Sequence, residues 1–158
     1  MIIIIKSKKY GNKECHYDNA FHSVISSFKW NIQKKHSTFY AITKGLRPNG
    51  TIGTLRMHRL ILSGGIIDHK DRNGLNNCLS NLRVATNSQN MQNRGPTKVN
   101  KIGFKGVYPK NNCYCASIRN QDNVLIHLGS FKTPIEAAKR FNQEAIKLHG
   151  EFAWLNPV

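Results

Sequence analysis

Carboxylates are scarce in this sequence. Eight Asp and Glu stand against 24 Lys and Arg, a formal net charge of +16 over 158 residues. Self-repulsion on that scale works against compactness, and it makes sense beside a polyanionic partner. On charge alone, a structural RNA binder of ribosomal type is the plain candidate. Long apolar runs are also missing: none approaches the ~18 residues of a membrane span. The opening Met1-Ile2-Ile3-Ile4-Ile5 is too short for a signal peptide and leads straight into Lys6, so it reads as a buried first strand. The expectation is an intracellular, cytoplasmic protein with no membrane association. Cysteine is sparse as well. Cys15, Cys78, Cys113 and Cys115 form no C-x-x-C pair, which argues against a zinc ribbon and against a disulfide framework. Cys113 and Cys115 read as unpaired thiols alternating along a strand. With 39% hydrophobic and 9% aromatic residues, the chain has material for small cores and is not globally disordered.

Composition divides the chain into an N-terminal segment 1–57, a central segment 58–93, a linker 94–103 and a C-terminal module 104–158. The first holds ten Lys or Arg against Glu14 and Asp18. Ile2–Ile5, Lys29–Gln33, Thr38–Lys44 and Thr51–Met57 read as strands, with a turn at Arg47-Pro48-Asn49-Gly50. Asp18 is placed to cap a short helix whose Phe21, Val24, Ile25 and Phe28 bury one face. The C-terminal module reads as three strands, Gly106–Lys110, Tyr114–Arg119 and Val124–Leu128, followed by a helix. Thr133-Pro134-Ile135-Glu136 supplies its N-cap, Pro at the first position and capping-box Glu, and Gly150 ends it. The fold class is therefore α+β: a basic β-rich platform, a central segment, and a three-stranded antiparallel sheet packed on one helix.

The central segment carries the chemistry. Two of the few carboxylates, Asp68 and Asp71, flank His69 at the end of the strand-like Ile66-Ile67. A carboxylate binds hard divalent cations, and a neighbouring imidazole takes a proton from water near neutral pH. Adjacent strand residues point to opposite faces, so one metal cannot easily take both. That favours separate roles, Asp68 on metal and His69 as base. Asn81-Leu82-Arg83-Val84-Ala85 runs from loop into a second short strand. Thr86-Asn87-Ser88-Gln89 opens a helix over 88–94 with Asn90 in its first turns. This order of elements is expected to gather Asp68, His69, Asn81 and Asn90. Asp71 reads as a solvated turn residue or an alternative ligand. His58 reads as a structural histidine that could also lie near the site. Trp30, Phe39 and Tyr40 read as β-core residues before base-stacking ones.

The series His58-Arg59-Leu60, Asp68-His69, Asn76-Asn77, Asn81-Leu82-Arg83 and Asn90 resembles HNH endonucleases of the homing type. His69 and Asn81 are 12 residues apart, and Asn81 and Asn90 are 9 apart. The third motif position holds Asn90 rather than His, as in phage and intron-encoded members. The resemblance covers about residues 55–94 and implies a ββα-metal nuclease core. The C-terminal part resembles a second family, the APETALA-2/ethylene-response-factor DNA-binding domain. Phe104-Lys105-Gly106-Val107-Tyr108, Ala116-Ser117-Ile118-Arg119, Leu128-Gly129-Ser130-Phe131, Glu136-Ala137-Ala138 and Leu155-Asn156 carry it. By position it implies DNA contacts from Lys105, Tyr108, Lys110, Ser117, Arg119 and His127. Several of that family's arginines and a tryptophan are replaced here, so its base preference does not carry over.

Together these resemblances imply a site-specific, metal-dependent endonuclease that hydrolyses phosphodiesters of double-stranded DNA. One Mg²⁺ or Mn²⁺ would sit on Asp68 and Asn90, His69 would activate water, and Asn81 would orient the His69 loop. A single constellation, with no heptad or apolar stripe for pairing, points to a monomer that nicks one strand. The alternatives are a DNA-binding regulator with an inactive HNH site and a basic RNA binder whose Asn-rich stretch is only loop.

Overall fold

The computed structural model describes residues 1–158 as a mixed α+β protein of small sheets and few helices. The chain forms two compact units, Met1–Thr86 and Asn87–Val158, so the boundary falls inside the central segment.

In the first unit, β1 (Ile2–Ile5) pairs antiparallel with β2 (Lys13–His16). Only Ile5 of β1 is buried. Ile2 and Ile4 are exposed because a two-stranded ribbon covers one face of the strand, so the run is not the buried strand its composition indicates. Strand β2 is too short and too charged to announce itself in sequence. A 3-10 turn (Asn19–Phe21) leads into α1 (His22–Ser26). Asp18 does not cap it: its Oδ2 accepts from the Leu79 amide at 2.7 Å instead. Val24 is 45% exposed, because a helix this short buries little more than Ile25. Next come β3 (Asn31–Lys35), β4 (Thr38–Leu46) and β5 (Ile52–Arg56), an antiparallel sheet with β4 central. The β4–β5 turn closes where Pro48-Asn49-Gly50 indicates, Gly50 N–H donating to Arg47 O at 2.9 Å.

Helix α2 (Met57–Ile61) then precedes the ribbon of β6 (Ile66–His69) and β7 (Leu82–Ala85). Register sets Asp68 opposite Arg83 and His69 opposite Leu82. The core gathers Ile5, Cys15, Tyr17, Ile25, Trp30, Ala41, Met57, Ile67 and Leu82 from every one of these layers. Trp30 is fully part of it and donates its indole N–H to Ile25 O at 2.8 Å.

The second unit begins with α3 (Asn87–Gln92), slightly shorter than its capping pattern indicates. Residues 94–103 are organised around Asn100, whose Oδ1 accepts from the amides of Ile102 and Gly103. Strands β8 (Val107–Lys110), β9 (Cys113–Arg119) and β10 (Leu125–Phe131) form an antiparallel sheet with β9 central. Helix α4 (Pro134–His149) starts at a complete capping box: Thr133 Oγ1 accepts from Glu136 N and Glu136 Oε2 from Thr133 N, each at 3.2 Å. Its Ala137, Ala138, Phe141 and Ala145 are buried on the Val107, Ala116 and Ile118 side of the sheet. Asn156 ties the end of the unit to the segment that enters β8. Its side chain accepts from Lys105 N at 2.7 Å and donates to Lys105 O at 3.1 Å, as a paired strand residue would.

No helix is long and apolar enough to cross a membrane.

Candidate active site

Asp68 and His69 are neighbours on β6 and both are buried. Strand alternation sends their side chains to opposite faces of the β6–β7 ribbon. On one face, the Arg83 guanidinium donates through Nε at 2.9 Å and Nη2 at 2.8 Å to Asp68 Oδ2. The pair is cross-strand and almost fully buried. Arg83 thus holds the carboxylate in place and balances its charge.

On the other face, His69 Nε2 lies 3.2 Å from Asn77 Oδ1. The chemistry of Asn77's other partners settles which imidazole nitrogen carries hydrogen. The Asn77 amide nitrogen points at two sulfurs, Cys15 Sγ at 3.1 Å and Met57 Sδ at 3.5 Å. A thioether only accepts, and the Cys15 thiol is placed to donate to Met57 Sδ at 3.5 Å, so the NH₂ faces the sulfurs and the oxygen faces His69. An amide oxygen also only accepts, so Nε2 carries the proton and Nδ1 keeps the lone pair. Burial pushes the Cys15 thiol up to about 12, which keeps it a neutral neighbour rather than a thiolate. The backbone of Asn77 is fixed by β2, its N–H donating to His16 O at 2.8 Å.

Two further rings meet His69. His58 of α2 crosses it edge-on with centroids 5.0 Å apart, and Tyr40 of β4 lies 5.9 Å from it and 5.7 Å from His58. Burial, then the nearby His69, pushes His58 down to about 3. Burial also lowers His69, against the opposing pull of Asn77, Asp71 and Asp68. Both imidazoles are therefore neutral at pH 7, and His69 presents an unprotonated Nδ1. The folded-state values lie below the unfolded value of ~6.5. The stability this represents is complete above that pH and is lost as pH falls through the window toward about 3, where the unfolded chain binds the extra protons. Urea midpoints of the full chain should accordingly fall between pH 7 and pH 5, and His58→Gln should flatten that dependence. An unchanged slope in the variant would contradict the burial assignment.

Asn81 closes the loop that follows His69. Its Nδ2 donates to Asp71 Oδ1 at 2.9 Å and to Asn76 O at 2.8 Å, and its Oδ1 accepts from Asp71 N at 3.0 Å. Asp71 is itself engaged by Asn73 N and Asn76 Nδ2, both at 2.8 Å. Its oxygens are committed to turn geometry, so Asp71 is a loop organiser in this arrangement. The first unit thus brings Asp68, His69 and Asn81 into one loop-and-ribbon assembly, and adds Asn77, Arg83, His58 and Tyr40. The structure places Asn90 on α3, in the second unit.

The donor chemistry fits a hard divalent cation. No group of three His, Cys, Asp or Glu able to hold a metal exists, which excludes a closed zinc-type cage. Asp68 supplies carboxylate oxygen, the donor type a hard divalent cation takes together with phosphate and water, and its Oδ2 is already held by Arg83 on the ribbon face opposite His69.

In the second unit, sheet alternation puts Tyr108, Lys110, Ser117, Arg119 and His127 on the face that α4 does not cover. Ser117 and His127 are directly opposed across β9 and β10. Lys105 does not join them. Its ammonium donates to Met91 O at 3.2 Å, Gln92 O at 2.6 Å and Arg94 O at 2.7 Å. These carbonyls at the carboxyl end of α3 hold its charge.

Residues 58–92 match the family profile described as HNH endonuclease. Over 143 residues the chain is 34% identical to a protein of Acanthamoeba polyphaga mimivirus described as an uncharacterized HNH endonuclease, a match covering 85% of this chain and 74% of the relative. No solved structure matches the chain.

Proposed function

Because the chain belongs to the HNH endonuclease family, we propose that it is a metal-dependent endonuclease that hydrolyses phosphodiester bonds of double-stranded DNA. The observation that carries the reading is His69: buried, neutral, and held by Asn77 with Nδ1 as its basic nitrogen. In the reaction, Nδ1 takes a proton from water as the water oxygen bonds to phosphorus. The P–O3′ bond breaks, leaving a 5′-phosphate and a 3′ oxygen that is finally protonated from solvent. The Nε2–H bond to Asn77 Oδ1 strengthens as the ring becomes cationic, which stabilises the charge that develops. Asn81 keeps the His69 loop in register, the part of a group that supports another.

Asp68 is the residue to hold Mg²⁺ or Mn²⁺, with Asn90 as second ligand on the strength of sequence spacing and resemblance. When bound, the ion supplies positive charge for the phosphate and the leaving oxygen. The helix-free face of the C-terminal sheet supports the further reading that this module is an ethylene-response-factor-like DNA binder. Tyr108, Lys110, Ser117, Arg119 and His127 are its contact residues. One base and one metal position suit a monomer that nicks one strand at an extended, asymmetric site, as a homing-type enzyme would.

The test is supercoiled plasmid carrying the chain's own flanking DNA, incubated with pure protein and Mg²⁺, with and without excess chelator. Open circles that appear only with metal are expected. Intact plasmid under all conditions would sink the nuclease reading, and cleavage in chelator would sink the metal mechanism.

A further inference from the structure

Between Asp18 and Asp68 the chain contains no carboxylate, and none precedes Glu14. The first unit therefore has four acids in all: Glu14, Asp18, Asp68 and Asp71. Each faces something other than a lysine. Asp68 faces Arg83, Asp71 the loop amides, Asp18 the Leu79 amide, and Glu14 approaches His16 at 3.9 Å. Against this background three ammonium groups converge on two rings. Lys13 Nζ lies 5.0 Å and Lys34 Nζ 5.6 Å from the Phe39 ring centroid, and Lys9 Nζ lies 5.4 Å from that of Tyr10. The rings themselves meet edge-on at 5.4 Å.

Chain segments far apart in sequence build this cluster. Lys9 and Tyr10 come from the β1–β2 loop and Lys13 from the start of β2, while Lys34 and Phe39 are directly paired across β3 and β4. Intramolecular cation–π contact at exposed sites is worth only ~0.5–1 kcal/mol. Lysine stems covering rings could account for one such contact. They do not account for three like charges brought together with no counter-ion, an arrangement that repels itself until an anion arrives. The cluster also borders the catalytic loop. Thr38 Oγ1, one residue from Phe39, accepts from Gly74 N at 3.0 Å, and Tyr40, on its other side, packs on His69.

We propose that Lys9, Lys13 and Lys34, seated on Tyr10 and Phe39, form a phosphate-backbone clamp for duplex DNA flanking the bond cleaved beside His69. This assignment rests on the nuclease reading for the identity of the polyanion. The clamp reads charge and not sequence, since lysine is a point charge with no fixed fork for base edges. The ring contacts seat the ammonium groups over Tyr10 and Phe39, which lessens the side-chain ordering left to binding.

The experiment is the salt dependence of affinity, measured by fluorescence anisotropy with full-length protein and a labelled duplex, in chelator so that no strand is cut. The triple variant Lys9→Gln, Lys13→Gln, Lys34→Gln should lower the slope of log K against log salt by about 2–3, since each phosphate contact contributes ~0.9. A triple variant of equal charge on the second unit, Lys132→Gln, Lys139→Gln, Lys147→Gln, should leave the slope near that of the parent. Equal losses in both variants, or none in the first, would overturn the clamp. So would a first variant that loses duplex RNA binding while keeping that of DNA. Because binding is read without cleavage, a parent that binds with the expected slope difference but never nicks plasmid would sink the nuclease reading and leave the clamp standing.

Discussion

His69→Ala should slow cleavage by ~10²–10⁴-fold, the range general-base catalysis supplies, while DNA affinity at fixed salt stays close to that of the parent. The imidazole makes no ion pair with the substrate in its neutral form, and its lone pair acts only as the attacking water loses its proton. Substrate binding should therefore survive its removal. The effect should extend in weaker form to Asn77→Leu, which removes the acceptor that keeps the proton on Nε2 and releases the ring to the other tautomer. Loss of such a supporting partner typically costs ~10–100-fold. Nitrogen-15 shifts of the His69 ring separate this from simple unfolding: the parent should show a protonated Nε2 and an unprotonated Nδ1, and the variant a mixture. Single-turnover cleavage by His69→Ala within a few-fold of the parent would remove His69 from the reaction. A fixed Nε2–H tautomer in Asn77→Leu would remove Asn77 from its control.

The second large effect concerns stability. Arg83→Ala should cost the protein ~3–5 kcal/mol, because it strips a buried carboxylate of the guanidinium that neutralises it. The pair as a whole is a different matter, since two apolar side chains of similar volume often replace a buried ion pair at no loss. The double variant Asp68→Leu, Arg83→Leu should regain most of the lost stability in urea unfolding. It should still be inactive, having no carboxylate at the position proposed for the metal. A single Arg83→Ala variant that unfolds less than ~1 kcal/mol early would place the pair among surface-like ion pairs, contrary to its burial. An active double variant would remove Asp68 from the metal site.

The elements of the C-terminal module were legible because each carried a local signal. Alternation marked the strands, and Thr133 to Glu136 marked the helix start before any tertiary contact was needed. The β4–β5 hairpin was legible for the same reason, through Pro48-Asn49-Gly50. At the site, Asp68, His69 and Asn81 stood out as residue types with a spacing. Their partners Arg83 and Asn77 stood in the same series with no role attached. Arg83 looks like any strand arginine until the register sets it opposite Asp68. Asn77 sits in an asparagine-rich stretch where turn preference accounts for every residue equally well. What singles it out is the pair of sulfurs behind it, one on β2 and one at the start of α2, 62 and 20 residues away. Strand β2 itself is four residues of Lys-Glu-Cys-His with no usable period, so the element that positions Asn77 had no sequence signature. Lys105 shows the converse. Resemblance placed it by position among DNA contacts, and only the tertiary structure shows its ammonium on the carbonyls at the end of α3.

The two hydrogen bonds between Asn156 and the backbone of Lys105 bring the two ends of the sheet-and-helix module together in space. A segment closed in this way enters and leaves the rest of a polypeptide at nearly one point. It can be lifted out of one gene and set into a surface loop of another without stretching its host, and its ends can be joined and reopened elsewhere. A segment of this shape is portable between proteins, and a graft that stops short of Asn156 would leave Lys105 without its clasp.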